Sequence, residues 1–169
     1  IFSLIAAKYC EFKNIIVIDN DKKKLELARN LGADITIDAN KKNIKKEIYR
    51  LLKNKNLDYC IDTAGKTETI EKSFELIGDN GCSIFCSHPQ INKKIKIDPF
   101  ELIKGKNIIG SWGGNTNPDK DIKKYVKILS NKTKDLKNIF YKEYSLEEIN
   151  KAIKNMKMGK VLRPIIKIK

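Results

Sequence analysis

The chain has 169 residues, enough for one good core, since a domain of this size buries roughly 70% of its unfolded surface. Its net charge of +14 suggests an anionic partner, but Arg29, Arg50 and Arg163 are the only arginines and the lysines are spread through every helix. Nucleic-acid readout favours clustered, forked guanidinium groups, so the charge reads as a solvated lysine surface and argues against a nucleic-acid partner. No signal peptide and no apolar run approaching ~18 residues is present, so a soluble cytoplasmic protein without a membrane partner is expected.

Ile1 to Phe12 carries Phe2, Ile5, Ala6, Tyr9 and Cys10 at helical spacing and reads as a helix without its beginning. Ile15-Ile16-Val17-Ile18 follows, a β-branched run too short for a helix, and predicts a buried parallel strand ending in the carboxylate of Asp19. In a doubly wound sheet, an acid at that position can accept hydrogen bonds from an adenosine ribose, which suggests NAD. Asp19, Asn20 and Asp21 would also each suit a helix N-cap. A helix over Lys22 to Leu31 closes at Gly32, and Ile35 to Ile37 reads as a third strand.

Asn40 to Asn54 predicts a surface helix. Leu57 to Asp62 is the next strand, Thr63-Ala64-Gly65 a turn, and Thr67 to Ile77 a helix. Gly78 to Gly81 reads as a turn before a strand over Cys82 to Cys86. Strands and helices alternating at this spacing imply a parallel, right-handed βαβ sheet. After an alternating stretch, Ile91 to Ile97, one or two helical turns fall between Asp98 and Ile103, and Asn107 to Ser111 reads as a short edge strand. Beyond the turn cluster Gly113 to Pro118, helices are expected over Asp119 to Leu129 and Leu146 to Met156. A strand interrupted by Pro164 is expected over Val161 to Ile168.

Cys10, Cys60, Cys82 and Cys86 contain no C-x-x-C pair, and His88 is the lone histidine. Reduced, buried thiols and no metal site are expected.

In order, the segments I-I-V-I-D, L-x-x-A-R-x-L-G-A-D, Asp58-x-x-Ile61-Asp62-x-x-Gly65, the stretch ending Ser87-His88-Pro89, K-x-I-I-G-S-W-G-G, S-L-E-E-I-N-K-A-I and G-K-V-L-R-P-I-I resemble the cofactor-binding half of the zinc-containing alcohol dehydrogenases. These belong to the medium-chain dehydrogenase/reductase superfamily. The resemblance implies an α/β, Rossmann-like doubly wound parallel sheet over residues 1–110, with its first strand and G-x-G-x-x-G turn missing. Residues 111–169 would be an α+β segment returning to the catalytic domain.

By the same resemblance Asp19 and Lys24 would lie at the adenine ribose, with Thr63, Ala64 and Lys66 along the crevice. Cys86, Ser87 and His88 would face the nicotinamide, mostly through backbone groups, with Ser111 and Trp112 bordering the carboxamide. Arg163 would reach the pyrophosphate. Bland roles compete with these: solvated lysine for Lys24, a loop histidine for His88, core packing for Trp112, and positive-φ turn glycines at Gly113 and Gly114.

The implied parent is a zinc-dependent, NAD-linked dehydrogenase of an alcohol or polyol, a dimer or tetramer, with its zinc ligands outside this chain and these residues inactive alone. A zinc-free quinone or enoyl reductase of the same superfamily is the alternative within enzymes. Asp19 opposes it, because a carboxylate there repels the 2′-phosphate of NADPH. A standalone nucleotide- or nucleic-acid-binding module is the alternative outside enzymes.

Overall fold

In the computed structural model, which describes residues 1–130 and 142–168, strand β1 (Ile16–Asp19) is covered on both faces. Ile16 and Ile18 pack against Ile37, Ile44, Ile48 and Leu76, whereas Ile15 and Val17 pack against Leu4, Ala28 and Ala33. Successive side chains of a strand point to opposite faces, so a strand buried on both must be apolar throughout. That is why β1 reads as an unbroken aliphatic run.

Helix α1 (Phe2–Tyr9) precedes it, and α2 (Lys22–Asn30) leads to β2 (Ile35–Asp38), which pairs parallel with β1 from Ile16↔Ile35 to Asp19↔Asp38. Asp21 caps α2, its side chain accepting the Lys23 N–H at 2.9 Å. The helix α3 (Ile44–Leu51) then turns Ile44 and Ile48 into the core.

A second parallel sheet follows in the order β3 (Leu57–Asp62), β4 (Ile77–Phe85), β5 (Asn107–Gly110), so β5 is an edge strand. Helix α4 (Thr67–Leu76) links β3 to β4, and the short α5 (Pro99–Ile103), capped by Asp98, precedes β5. Strands that alternate with helices and pair in parallel give the Rossmann-like α/β architecture expected from the sequence.

The turn expected at Gly78 to Gly81 lies inside β4. Leu57 pairs with Ile77 but Tyr59 pairs with Cys82, so the ladder with β3 is interrupted here, and Asn80 has the positive φ of 63° that suits a turn residue. Gly78 packs so tightly on the Asn56 side chain that a Cβ would not fit.

Two buried polar devices hold this region. Ser73 Oγ donates to the Ile70 carbonyl at 2.8 Å and lies 2.6 Å from the buried Ser83 Oγ, so both hydroxyls are satisfied. Lys106, at the start of β5, is buried with Nζ 2.6 Å from Glu101 and 5.5 Å from the Phe74 ring centroid.

Hydrogen bonds from Lys104 and Lys106 hold the Glu101 carboxyl at about 2, below its ordinary 4.5. A carboxylate whose pKa falls on folding stabilises above its unfolded pKa and loses that contribution as pH falls through the folded one. Glu101→Gln is therefore expected to lower the melting temperature at neutral pH and to shrink the loss of stability between pH 4.5 and about 2, read by circular dichroism. An unchanged acid limb would contradict the pairing.

The chain divides into two compact units, Ile1–Thr116 and Asn117–Lys169. In the second, helix α6 (Pro118–Ser130) precedes β6 (Glu143–Ser145), α7 (Ile149–Lys157) and β7 (Ile165–Lys167), and β6 pairs parallel with β7. Its core gathers Tyr144, Ala152 and Val161, with Ile166 against them. The strand expected over Val161 to Ile168 is confined to Ile165–Lys167. Pro164 carries no N–H for a ladder, and Val161 is used in the core instead.

All four cysteines are free, but Cys10 and Cys86 are exposed rather than buried. Cys10 sits at the end of α1, and Cys86 lies one residue past β4, where the sheet no longer covers it. Among the described residues, no helix is long and apolar enough to cross a membrane.

Candidate functional site at the carboxyl ends of the strands

Parallel strands send their carboxyl ends to one edge, where the following loops converge and ligands of open α/β sheets bind. At the end of β1, Asp19 is half-buried, and one carboxylate oxygen accepts the Asp21 N–H at 3.0 Å. The helix cap is supplied by Asp21, so the capping role weighed for Asp19 belongs to its neighbour.

The backbone nitrogen of Ile1, at the start of α1, lies within electrostatic reach of the Asp19 carboxylate and the Lys24 side chain. Asp19, Lys24 and the N-terminus of α1 are thus brought together, an arrangement no single stretch of sequence displays.

The ends of β3, β4 and β5 are knitted by side chains as well as backbone. Asp62, the last residue of β3, is buried and accepts the Ser87 hydroxyl at 2.7 Å, with the Gly65 N–H 3.4 Å away. The Cys86 N–H donates to the Asp62 carbonyl and the Ser111 N–H to the Phe85 carbonyl, each at 2.9 Å. A Cβ on Gly65, whose φ is 75°, would sit 3.4 Å from the His88 carbonyl oxygen, so this turn lies directly on the Ser87 and His88 backbone. Two residues before Asp62, Cys60 is pushed up to about 11 by burial and by the Asp62 charge, which leaves it an inert thiol at neutral pH.

His88 meets Trp112 edge-on, with ring centroids 4.5 Å apart. Trp112 is 83% exposed, which overturns core packing for it: one residue beyond Ser111 the chain has left the sheet, and the indole projects into solvent. Ser111 Oγ accepts the Gly114 N–H at 3.2 Å, and Gly113 and Gly114 adopt the positive φ that their turn needs.

Thr63, Ala64, Lys66 and Cys86 are exposed along the same edge, and Ser87 is half-buried. Arg163 is exposed in the second unit, just before Pro164 and β7. Asp62 is the residue that reading for ligand contacts alone passes over. Its signal is an acid closing an apolar strand three residues before a glycine.

Among the described residues, no group of three histidine, cysteine or acidic side chains could hold a metal ion. The residues present do not fit a zinc site. They do fit a nucleoside, through the strand-end carboxylate of Asp19, a nearby lysine and an exposed row of loops.

The family model described as zinc-binding dehydrogenase matches residues 1–131. The chain belongs to that family. It is similar to an alcohol dehydrogenase of Malus domestica, 27% identical over 157 residues, covering 91% of this chain and 41% of that protein. Among solved structures it resembles benzyl alcohol dehydrogenase from Acinetobacter calcoaceticus, with a TM-score of 0.89, 29% identity, and coverage of 99% of this chain and 46% of the other. A zinc-binding dehydrogenase from Sinorhizobium meliloti, solved bound to NADP, shares the fold at a TM-score of 0.79 and 21% identity, covering 90% of this chain and 44% of that one. The chain spans under half the length of these zinc-binding and alcohol dehydrogenases.

Proposed function

We propose that this chain is the C-terminal, nucleotide-binding portion of a zinc-dependent, NAD-linked dehydrogenase that converts an alcohol or polyol to an aldehyde or ketone. The observation that carries the reading is Asp19: a half-buried carboxylate at the carboxyl end of a parallel strand. That carboxylate accepts from ribose hydroxyls and repels a 2′-phosphate, which selects NAD over NADP. Lys24 and the start of α1 complement the negative charge of the dinucleotide from the same side.

When bound, the nicotinamide supplies the hydride acceptor. The residues of this chain bind and orient: Thr63, Ala64 and Lys66 along the crevice, the backbone of Cys86, Ser87 and His88 beside the nicotinamide, Ser111 and Trp112 at the carboxamide, and Arg163 at the pyrophosphate. Zinc, bound outside this chain, is not held by any of them. Residues 1–110 form the nucleotide-binding portion and 111–169 the segment returning to the catalytic domain. In the cytoplasm, the whole protein assembles as a dimer or tetramer.

Chelation separates the two halves of this reading. Treating the intact protein with a zinc chelator is expected to abolish alcohol oxidation while leaving NADH binding, followed by nicotinamide fluorescence, essentially intact. Loss of both together would contradict the division of labour. Alcohol oxidation that survives removal of zinc would favour a zinc-free reductase.

A further inference from the structure

Asp62 is 6% exposed yet carries a carboxylate, and a buried carboxylate needs hydrogen bonds to offset its desolvation. They come from two loops at once. Ser87 Oγ donates at 2.7 Å from the loop after β4, and the Gly65 N–H approaches at 3.4 Å from the turn after β3. Ser87 is 25 residues away in sequence, so the contact is tertiary, and its length is that of a charge-assisted hydrogen bond.

Gly65 lies beside the same loop: an added Cβ would be in van der Waals contact with it, 3.5 Å from Ser87 Cβ and 3.4 Å from the His88 oxygen. The Cys86 N–H is fixed by the Asp62 carbonyl, and the His88 ring rests on Trp112. The loop after β4 is therefore held at each of its first three residues, and two of the three holds run through Asp62.

The geometry points to Asp62 and Ser87 as a positioning pair that sets the backbone of Cys86, Ser87 and His88 before a dinucleotide arrives at the sheet edge. The inference rests on the dinucleotide reading above. It assigns Ser87 an indirect role: its hydroxyl hydrogen is committed to Asp62, so the side chain acts through the loop. Ordering the loop in advance removes a cost that binding would otherwise carry.

The test uses the intact protein with Asp62→Asn, Ser87→Ala, the double variant, and Ser87→Thr, which keeps the hydroxyl. Asp62→Asn and Ser87→Ala change little volume. Each single loss is expected to weaken NADH binding about tenfold, the scale of one hydrogen bond to a charged group. The double variant should lose about the same tenfold, because partners in one contact are not additive. Ser87→Thr should restore binding. KM for the nucleotide should rise with kcat little changed, and amide exchange at Gly65 and Cys86 to His88 should quicken.

Binding as tight as wild type in both single variants, with faster exchange, would overturn the inference and leave the pair purely structural. A double variant weakened about a hundredfold would also overturn it, since independent contacts multiply. Wild-type protein that binds no NADH overturns the dinucleotide reading itself. That result is read before any variant is made, so the two failures are distinguishable.

Discussion

Replacing Ile37 with alanine is expected to cost about 2–5 kcal/mol, the range for emptying a fully buried aliphatic site. Ile37 is 1% exposed, sits opposite Ile18 in the β1–β2 ladder, and packs with Ile44, Ile48 and Leu76. These neighbours come from a helix, a helix end and a strand whose backbones are already hydrogen-bonded, so little can collapse into the space. Domains of this kind are stable by only about 5–15 kcal/mol, so the variant should lose a large share of its margin. Urea unfolding should show a lower midpoint with an unchanged slope. A loss below about 1 kcal/mol would mean that this cluster is not the core of the first unit.

The second large effect is functional. Asp19→Ala in the intact protein is expected to weaken NAD binding by about 10- to 100-fold, since hydrogen bonds to a charged group contribute about 1.5–3 kcal/mol. The same change should leave NADP binding unchanged or improve it, because the carboxylate that repels a 2′-phosphate is gone. Asp21 keeps the cap on α2, so the helix is not lost with the substitution. That separation makes the variant informative. Equal weakening of both nucleotides would point to a structural role for Asp19, and unchanged affinity for both would remove it from the site.

Much of the fold is legible in the sequence for a definite reason. A strand buried on both faces must be aliphatic at every position, and Ile15 to Ile18 meets that demand without help from the rest of the chain. The helices announce themselves by the spacing of Leu25 and Ala28, or of Ile44 and Ile48, each pair turned to the core.

What escaped has an equally definite reason. Gly78 to Gly81 looks like a turn because glycine and asparagine favour turns. Only the partner strand, with Leu57 opposite Ile77 and Tyr59 opposite Cys82, shows that this segment interrupts a strand already begun at Ile77. Strand β6 is three residues long with one of them buried, too short for any period to show. Cys86 falls inside the strand expected over Cys82 to Cys86, but β4 stops one residue earlier and leaves the thiol exposed.

The site divides along the same line. A carboxylate at the end of a predicted strand marks Asp19, because position within one element is a local property. The contact between Asp62 and Ser87 depends on two strands becoming neighbours, and so does the edge-on meeting of His88 and Trp112. Pairwise geometry of that kind has no signature in a single segment. Trp112 shows the converse: a large apolar side chain suggests core, yet its place beyond the end of β5 leaves it in solvent.

The central claim is that the carboxyl edge of these strands is a nucleotide crevice in which Asp19 selects NAD. Calorimetric titration of the intact protein with NADH and, separately, NADPH tests it most directly. Saturable binding with NADH at least about tenfold tighter is the predicted result, that margin corresponding to about 1.4 kcal/mol. Tighter binding of NADPH, or no saturable binding of either nucleotide, would contradict it.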